Sequence, residues 1–166
     1  MTPTSFDIPS TLRERLAEVM KGAVIETFHV VFGVDAAAGE LSQCPSSDGD
    51  LVCLVKLVQN DLEFKIYFRF AHNLLSPIVA NFYPAEVVQE ESAYQDAASE
   101  IANIVGCNLK AFLNAQGYHL EMEIPSSETI ENASKHDANA MQLCFSAFSE
   151  VFSVNLRLTE RDVLCA

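Results

Sequence analysis

The stretch Ser99–Lys110, SEIANIVGCNLK, has the apolar spacing of a helix but carries an asparagine in its interior. Asparagine inside a helix costs roughly 0.5 kcal/mol relative to alanine, because its amide competes for backbone hydrogen bonds. The apolar spacing continues over residues 90–116 and stops at Gly117. At about 100° per residue, Glu100 and Asn103 lie one turn apart on the same face. The sequence therefore predicts a long helix with a carboxylate and an amide side by side on its surface.

The two faces of this helix differ in composition. The predicted core face consists of Tyr94, Ala98, Ile101, Val105, Leu109 and Phe112. The predicted solvent face consists of Asp96, Glu100, Asn103, Cys107, Lys110 and Asn114. Small residues at positions 93, 97, 106, 107 and 111 would let a partner protein approach the pair closely. The predicted partner contacts around the pair are Asp96, Ile104, Cys107 and Lys110.

A β-hairpin is predicted before this helix, where LVCLVKLVQ (residues 51–59) and LEFKIYFRF (residues 62–70) flank Asn60-Asp61. With these two residues as the turn, one face of the hairpin pairs only apolar side chains, which fixes the register. The expected pairs are Leu57 with Phe64, Val55 with Ile66, Cys53 with Phe68 and Leu51 with Phe70. On the other face Lys56 lies opposite Lys65, a repulsion that is tolerable only in solvent.

The N-terminal part is predicted to be a helix over residues 10–33 followed by a loop. Thr11 and Glu14 form a capping-box pattern at its start, and Gly33 is suited to end it. The turn-rich residues 34–50 predict no regular structure.

The remaining elements complete an α+β fold. A short helix is predicted over residues 73–83, and three strands follow the long helix: YHLEMEI, NAMQLCFSAFSE and FSVNLRLTE. This order predicts a largely antiparallel sheet packed against long helices. With 166 residues, the chain is expected to be a single domain over residues 1–166.

The net charge of −13 disfavours nucleic acid, whose binding needs lysine and arginine to neutralise phosphates. It disfavours anionic membrane surfaces for the same reason. No apolar run approaches the roughly 20 residues of a membrane span, and the start, MTPTSFDIPS, does not resemble a signal peptide. We therefore expect a cytoplasmic protein that binds neither nucleic acid nor membranes.

The cysteines and histidines predict neither a disulfide framework nor a metal site, because their spacing contains no close pair of ligands. They are Cys44, Cys53, Cys107, Cys144 and Cys165, and His29, His72, His119 and His136. All are expected to be ordinary reduced or neutral residues, and the protein is expected to hold no metal or cofactor of its own.

The longer stretch DAASEIANIVGCNLKAFLNAQG (Asp96–Gly117) resembles the helix that characterises the CheC/CheX/FliY family of chemotaxis phosphatases. That helix carries Glu-[Ile/Leu]-x-Asn, and Glu100 and Asn103 occupy these positions. Asn108 and Lys110 match its usual tail. The E-x-x-N spacing alone would be uninformative, because chance gives about 0.4 copies of it in a chain of this size.

The resemblance extends from about residue 10 to the end and favours the CheX branch. The order of elements and the extended segment EMEIPSSETI both resemble that branch. Only Glu100 is followed by asparagine three residues later, and CheX-like proteins carry one such helix where CheC-like proteins carry two. One departure is Cys107, at a position where the family commonly has glycine; Gly106 lies one place earlier.

The resemblance implies a phosphatase that hydrolyses the aspartyl phosphate of a CheY-like receiver domain. In that reaction Asn103 would orient the attacking water and Glu100 would engage a lysine of the receiver, which also supplies the Mg²⁺. No lysine or arginine occurs between Ala71 and Leu109, so an incoming cation would meet no local repulsion.

Two other functions stay open. A scaffold module of the same fold would bind the receiver without catalysis. A small-molecule sensor would use the hairpin aromatics Phe64, Phe68 and Phe70, although these are better explained as core residues.

The resemblance also implies a homodimer joined through the sheet. The strand FSVNLRLTE is predicted to be an edge guarded only by Arg157, and exposed edges of this kind are usually covered or paired.

Overall fold

The computed structural model describes residues 8–40, 44, 47–134 and 140–161. Its elements are α1 Ser10–Phe32, β1 Ala37–Gly39, β2 Leu51–Gln59, β3 Leu62–Phe70, α2 His72–Phe82, α3 Glu91–Ala115, β4 Glu121–Met122, β5 Ser126–Glu128, α4 Ile130–Ala133, β6 Met141–Ala147 and β7 Glu150–Glu160. The strands form one antiparallel sheet with α1 and α3 packed on one face. The α+β class and the largely antiparallel sheet are therefore confirmed.

Helix α1 has the predicted span but not the predicted start. Its N-cap is Pro9, with no side-chain capping bond, and Thr11 lies inside the helix, so the capping-box prediction is wrong. The predicted end is confirmed, because Gly33 adopts a left-handed conformation with φ 68° and donates its N–H to the carbonyl of His29. Among the described residues, no helix is both long and apolar enough to cross a membrane.

The β2–β3 hairpin has the predicted turn and register, including Leu57 opposite Phe64. On the other face Lys56 lies opposite Lys65, as predicted, but both are half-buried, so solvent alone does not make their repulsion tolerable. Both ammonium groups lie beside the carboxylate of Glu63, at 3.8 and 3.7 Å, and Glu63 is only 6% exposed. A shared, buried negative charge thus offsets the repulsion between the two lysines.

The last described strand, β7, is an interior strand and not an edge. The order of strands is β1-β6-β7-β3-β2-β4, with β5 also paired to β2, so β7 has a partner on each side. Arg157 is buried, donates to the carbonyls of Asn132 and Ala133, and lies 4.6 Å over the ring of Tyr67. The argument for dimerisation through an exposed β7 is therefore wrong, while the homodimer itself stays a prediction.

The loop predicted for residues 34–50 contains strand β1, which pairs with β6. A disulfide joins Cys44 to Cys144 across a sequence separation of 100 residues, so the expectation that all cysteines are reduced is wrong for these two. Such cross-links typically stabilise a fold by about 2–4 kcal/mol. Cys53 and Cys107 are free, and Cys165 and His136 lie outside the described residues.

Helix α3 packs tightly on β2 because of a glycine. A side chain at Gly106 would begin 2.9 Å from Val55 Cγ1 and 3.0 Å from Met122 Sδ, closer than such contacts normally come. Glycine therefore permits the helix to approach both β2 and β4. This approach positions the outer face of α3 beside Met122.

Candidate functional site

An open groove of about 670 Å³ runs alongside α3. One side is the outer face of the helix, and the other side is the extended segment Met122–Pro125. The lining residues are Tyr83, Asp96, Ser99, Glu100, Asn103, Met122, Glu123, Ile124 and Pro125. The groove therefore combines a polar helical wall with a largely apolar second wall.

The helical wall brings Asp96, Glu100 and Asn103 into one row. They follow one another at intervals of four and three residues, so their side chains project in the same direction. Asp96 and Glu100 are exposed, and Asn103 is half-buried. None of the three has a hydrogen-bond or ion-pair partner among the described residues, so their polar atoms are available to a second molecule.

The second wall arises from an interruption in the edge strand. Strand β4 pairs with β2 at Leu57 and Val58, and β5 resumes the pairing with β2 at Leu54. Pro125 lies between them and has no N–H to donate, so the pairing cannot continue through it. The prediction of a continuous strand for YHLEMEI is thus confirmed only at Glu121–Met122.

The break leaves one apolar side chain in solvent. Ile124 is 90% exposed and lies on the groove, next to Pro125. Its position is fixed on the N-terminal side, because the N–H of Glu123 donates to the carbonyl of Lys56 at 3.0 Å. Arg161 also approaches the Glu123 carboxylate at 3.5 Å.

Tyr83, the residue at the C-terminal end of α2, contributes a neutral hydroxyl to the groove. Its pKa is raised above the ordinary value of 10.0, first by burial and then by the negative charges of Asp96 and Glu100. The phenol consequently keeps its proton at neutral pH and adds no further negative charge.

The electrostatic character of the groove is acidic. Among the described residues, its lining contains Asp96, Glu100 and Glu123 and no lysine or arginine. Glu123 is paired with Arg161, whereas Asp96 and Glu100 are uncompensated within the described chain. A cationic side chain from outside would therefore be attracted to the helical wall.

The structure brings together some of the predicted site residues and not others. Asp96, Glu100 and Asn103 share the groove, whereas Ile104, Cys107 and Lys110 do not line it. Ile104 is half-buried, Cys107 is exposed, and Lys110 lies 3.8 Å from the carboxylate of Glu121.

The small residues expected to admit a partner are divided between two faces. Positions 93, 97 and 106 are buried against the protein itself, and positions 107 and 111 are exposed. Within the predicted core face, Ala98, Ile101, Val105 and Leu109 are buried, while Tyr94 and Phe112 are half-buried.

The second wall and Tyr83 were not predicted from the sequence as site residues. The only signal was Pro125 directly after the predicted strand YHLEMEI, within the extended segment EMEIPSSETI, which is typical of an edge strand or a break. That pattern predicts an irregular edge but does not indicate that the edge lies beside Glu100.

The arrangement suits a reaction that needs orientation more than a strong base. The side-chain amide of Asn103 can donate and accept hydrogen bonds, so it can hold a water without adding charge. Glu100 and Asp96 can receive a cation. In the described ranges, no group of three or more histidine, cysteine, aspartate or glutamate side chains is placed to hold a metal ion.

No protein-family model and no curated protein sequence matches this chain. Its fold matches CheX from Vibrio vulnificus with a TM-score of 0.68 at 15% identity, covering 88% of this chain and 97% of CheX. A CheC-like superfamily protein from Shewanella matches with 0.68 at 18%, covering 86% and 96%. The CheX–CheY–BeF3–Mg²⁺ complex from Borrelia burgdorferi contains a match with 0.62 at 18%, covering 89% and 97%. The CheX-like fold expected from the resemblance is confirmed.

Proposed function

We propose that this chain, which has the fold of CheX and CheC-like chemotaxis proteins, hydrolyses the aspartyl phosphate of a CheY-like receiver domain. The observation that carries the proposal is the placement of Glu100 and Asn103 together in an open groove, without partners in the described chain. The match to CheX in a complex with CheY supports the same class of partner.

Asn103 is the residue that would orient the attacking water. Phosphoryl transfer passes through a loose transition state, so catalysis depends on positioning and electrostatics. An amide can align a water with the phosphorus and remain uncharged, whereas a carboxylate at this position would repel the phosphoryl oxygens. The Mg²⁺ that neutralises these oxygens belongs to the receiver.

Glu100 would dock the receiver through its lysine. The carboxylate is exposed, one helical turn before Asn103, and no lysine or arginine of the described residues lines the groove. An ion pair at this place fixes the register of the helix against the receiver, which sets the position of Asn103. Tyr83 is neutral at neutral pH, so the attraction for a cation at this place comes from the carboxylates of Glu100 and Asp96, which add to the effect of burial in raising the pKa of the Tyr83 phenol.

Phosphate release is the direct test. Candidate receivers are charged with acetyl phosphate, and inorganic phosphate is measured with and without the protein. We expect release from at least one receiver to accelerate in proportion to the concentration of the protein. Acceleration that disappears when the receiver's phosphorylated aspartate is replaced would identify the acyl phosphate as the substrate.

The same assay separates the phosphatase from the scaffold module. A scaffold of this fold would bind the phosphorylated receiver and leave its phosphate lifetime unchanged or extended. Cys107 does not favour the scaffold, because it does not line the groove and so does not obstruct Glu100 or Asn103.

Two further properties, the location of the protein and its oligomeric state, belong to the proposal. The protein would act in the cytoplasm, where thiols are kept reduced, so the Cys44–Cys144 bond would form only under oxidising conditions. The homodimer is retained as a proposal that rests on the family resemblance, and light scattering at tens of micromolar would test it.

A further inference from the structure

The second wall of the groove has features of a preformed contact surface. Ile124 is the most exposed large hydrophobic residue in the described chain, ahead of Val30 at 70% and Phe82 at 55%. It lies on the same groove as Glu100 and Asn103, with Met122 and Pro125 beside it. An isoleucine in this position gains stability only when another molecule removes it from water.

The backbone that carries Ile124 is held in place before any partner binds. Strand β4 anchors it on one side and strand β5 on the other, both paired to β2. Glu123, the residue before Ile124, is held in place by two contacts. Its N–H donates to the carbonyl of Lys56, and its carboxylate contacts Arg161. Little conformational entropy is therefore lost when this wall is covered.

The two walls together define the chemistry of the occupant. Asp96 and Glu100 on the helix would attract a cationic side chain, and Ile124 on the opposite wall would pack against an apolar side chain next to it. A protein surface that presents a lysine or arginine flanked by an apolar residue satisfies both. A second copy of this chain does not, because it would bring the uncompensated Asp96 and Glu100 of two molecules together.

We infer that Ile124 is an apolar docking anchor of the receiver interface, positioned across the groove from Glu100. This inference rests on the proposed function and adds to it a second wall that selects the receiver surface. Glu100 and Asp96 attract the cation, and Ile124 packs against the neighbouring apolar side chain. Recognition therefore depends on both walls, while the chemistry depends on Asn103.

The test compares Ile124→Ser with Val30→Ser. Both changes remove an exposed β-branched side chain without adding charge, but Val30 lies on α1, outside the groove lining. The dissociation constant for a purified receiver, in its beryllofluoride form, and the maximal rate of phosphate release are measured for each. We expect Ile124→Ser to weaken binding by about tenfold or more at an unchanged maximal rate, because the contact is apolar and Ile124 supplies no group that takes part in the reaction. Val30→Ser is expected to match the wild type.

A second pair of variants tests the electrostatic part of the inference. Asp96→Asn should weaken binding and reduce its dependence on salt, whereas Glu131→Gln, on α4 at the opposite face of the sheet, should change neither.

Each result bears on one proposal or the other. Unchanged receiver binding by Ile124→Ser, with phosphatase activity present, would overturn the anchor and leave the proposed function standing. Weakened binding by Ile124→Ser in a protein that never accelerates phosphate release would support the anchor and overturn the phosphatase. A loss of self-association in Ile124→Ser would assign this wall to a second copy, and a wild-type protein that binds no receiver would refute both proposals.

Discussion

The two faces of helix α3 have different roles, although the residues of one face are interleaved in the sequence with those of the other. The sheet-facing side includes Ala97, Val105 and Gly106, which are buried against the rest of the fold. The groove-facing side includes Glu100 and Asn103, whose side chains make no hydrogen bond or ion pair with the described residues. The direction in which a side chain points from the helix therefore decides whether it stabilises the fold or is available to a second molecule.

This separation teaches where substitutions should be tolerated. A change on the sheet-facing side alters packing that is already made in the free protein, so it should change the free energy of unfolding. A change on the groove-facing side alters only what a second molecule meets, so it should change binding or catalysis. Four substitutions can sharpen this comparison or break it.

Asn103→Ala should give the largest effect, a loss of stimulated phosphate release of about 100-fold or more, because the attacking water is no longer oriented. The free energy of unfolding should change by less than about 0.5 kcal/mol, since no hydrogen bond within the described chain is lost. Steady-state phosphate release and urea denaturation measure the two quantities. Asn108→Ala is the matched control, because Asn108 is exposed on the same helix outside the groove. Wild-type activity in Asn103→Ala would rule out the mechanism.

Gly106→Val should destabilise the fold by about 1–3 kcal/mol, because the new side chain overlaps Val55 and Met122. Gly22→Val on α1 is the control, since a side chain there has nothing within 4 Å to meet and the helix gains from losing a glycine. Urea denaturation of both variants gives the comparison. If Gly106→Val is as stable as Gly22→Val, α3 does not lie this close to β2.

Glu100→Gln should weaken receiver binding by about five- to tenfold, equivalent to about 1 kcal/mol for one exposed ion pair. The maximal rate should stay within about twofold of the wild type, because the carboxylate docks the receiver and does not touch the water. Titration calorimetry at two salt concentrations measures the affinity and its screening. A fall in the maximal rate at unchanged affinity would instead make Glu100 part of the chemistry.

Cys107→Gly should have the smallest effect. Cys107 is exposed and does not line the groove, so phosphate release should be unchanged. Glycine inside the helix should cost about 0.5 kcal/mol of stability. A marked loss of activity would show that the groove face extends a full turn beyond Asn103.

The parts of the fold that could be predicted from the sequence are those with a local period. The α3 residues follow a helical repeat over 25 residues, and the hairpin alternates apolar side chains around Asn60-Asp61. In both cases the pattern that predicts the element lies in neighbouring residues. The predicted bounds of α3 are confirmed to within a residue or two, and the predicted register of the hairpin is confirmed.

The parts that could not be predicted depend on residues far apart in the chain. Strand β1 is three residues long and gains its partner about 100 positions later, as does Cys44. Strand β7 is interior because β3 pairs with one of its edges and β6 with the other, which alternation within β7 cannot reveal. The position of Glu63 between two lysines likewise could not be predicted, because it depends on how these side chains are oriented in the folded sheet.

The candidate site divides in the same manner. Glu100, Asn103 and Asp96 share a helix, so their common face follows from spacing, but their proposed role came from the family resemblance and not from the short motif. Ile124 lies 21 positions after Asn103 and reaches the groove only because the edge strand breaks at Pro125. No local pattern relates these two walls.

The central place of β7 has a consequence for how the protein is made. Strand β7 (Glu150–Glu160) pairs with both β3 and β6, so until the ribosome has delivered it the sheet of the described residues remains in two unconnected parts. The hairpin and the helices can form earlier, but their apolar faces then lack the surface they will finally cover. Closure of the sheet must therefore wait for nearly the whole described chain, and a nascent chain halted before residue 150 should stay sensitive to proteases throughout.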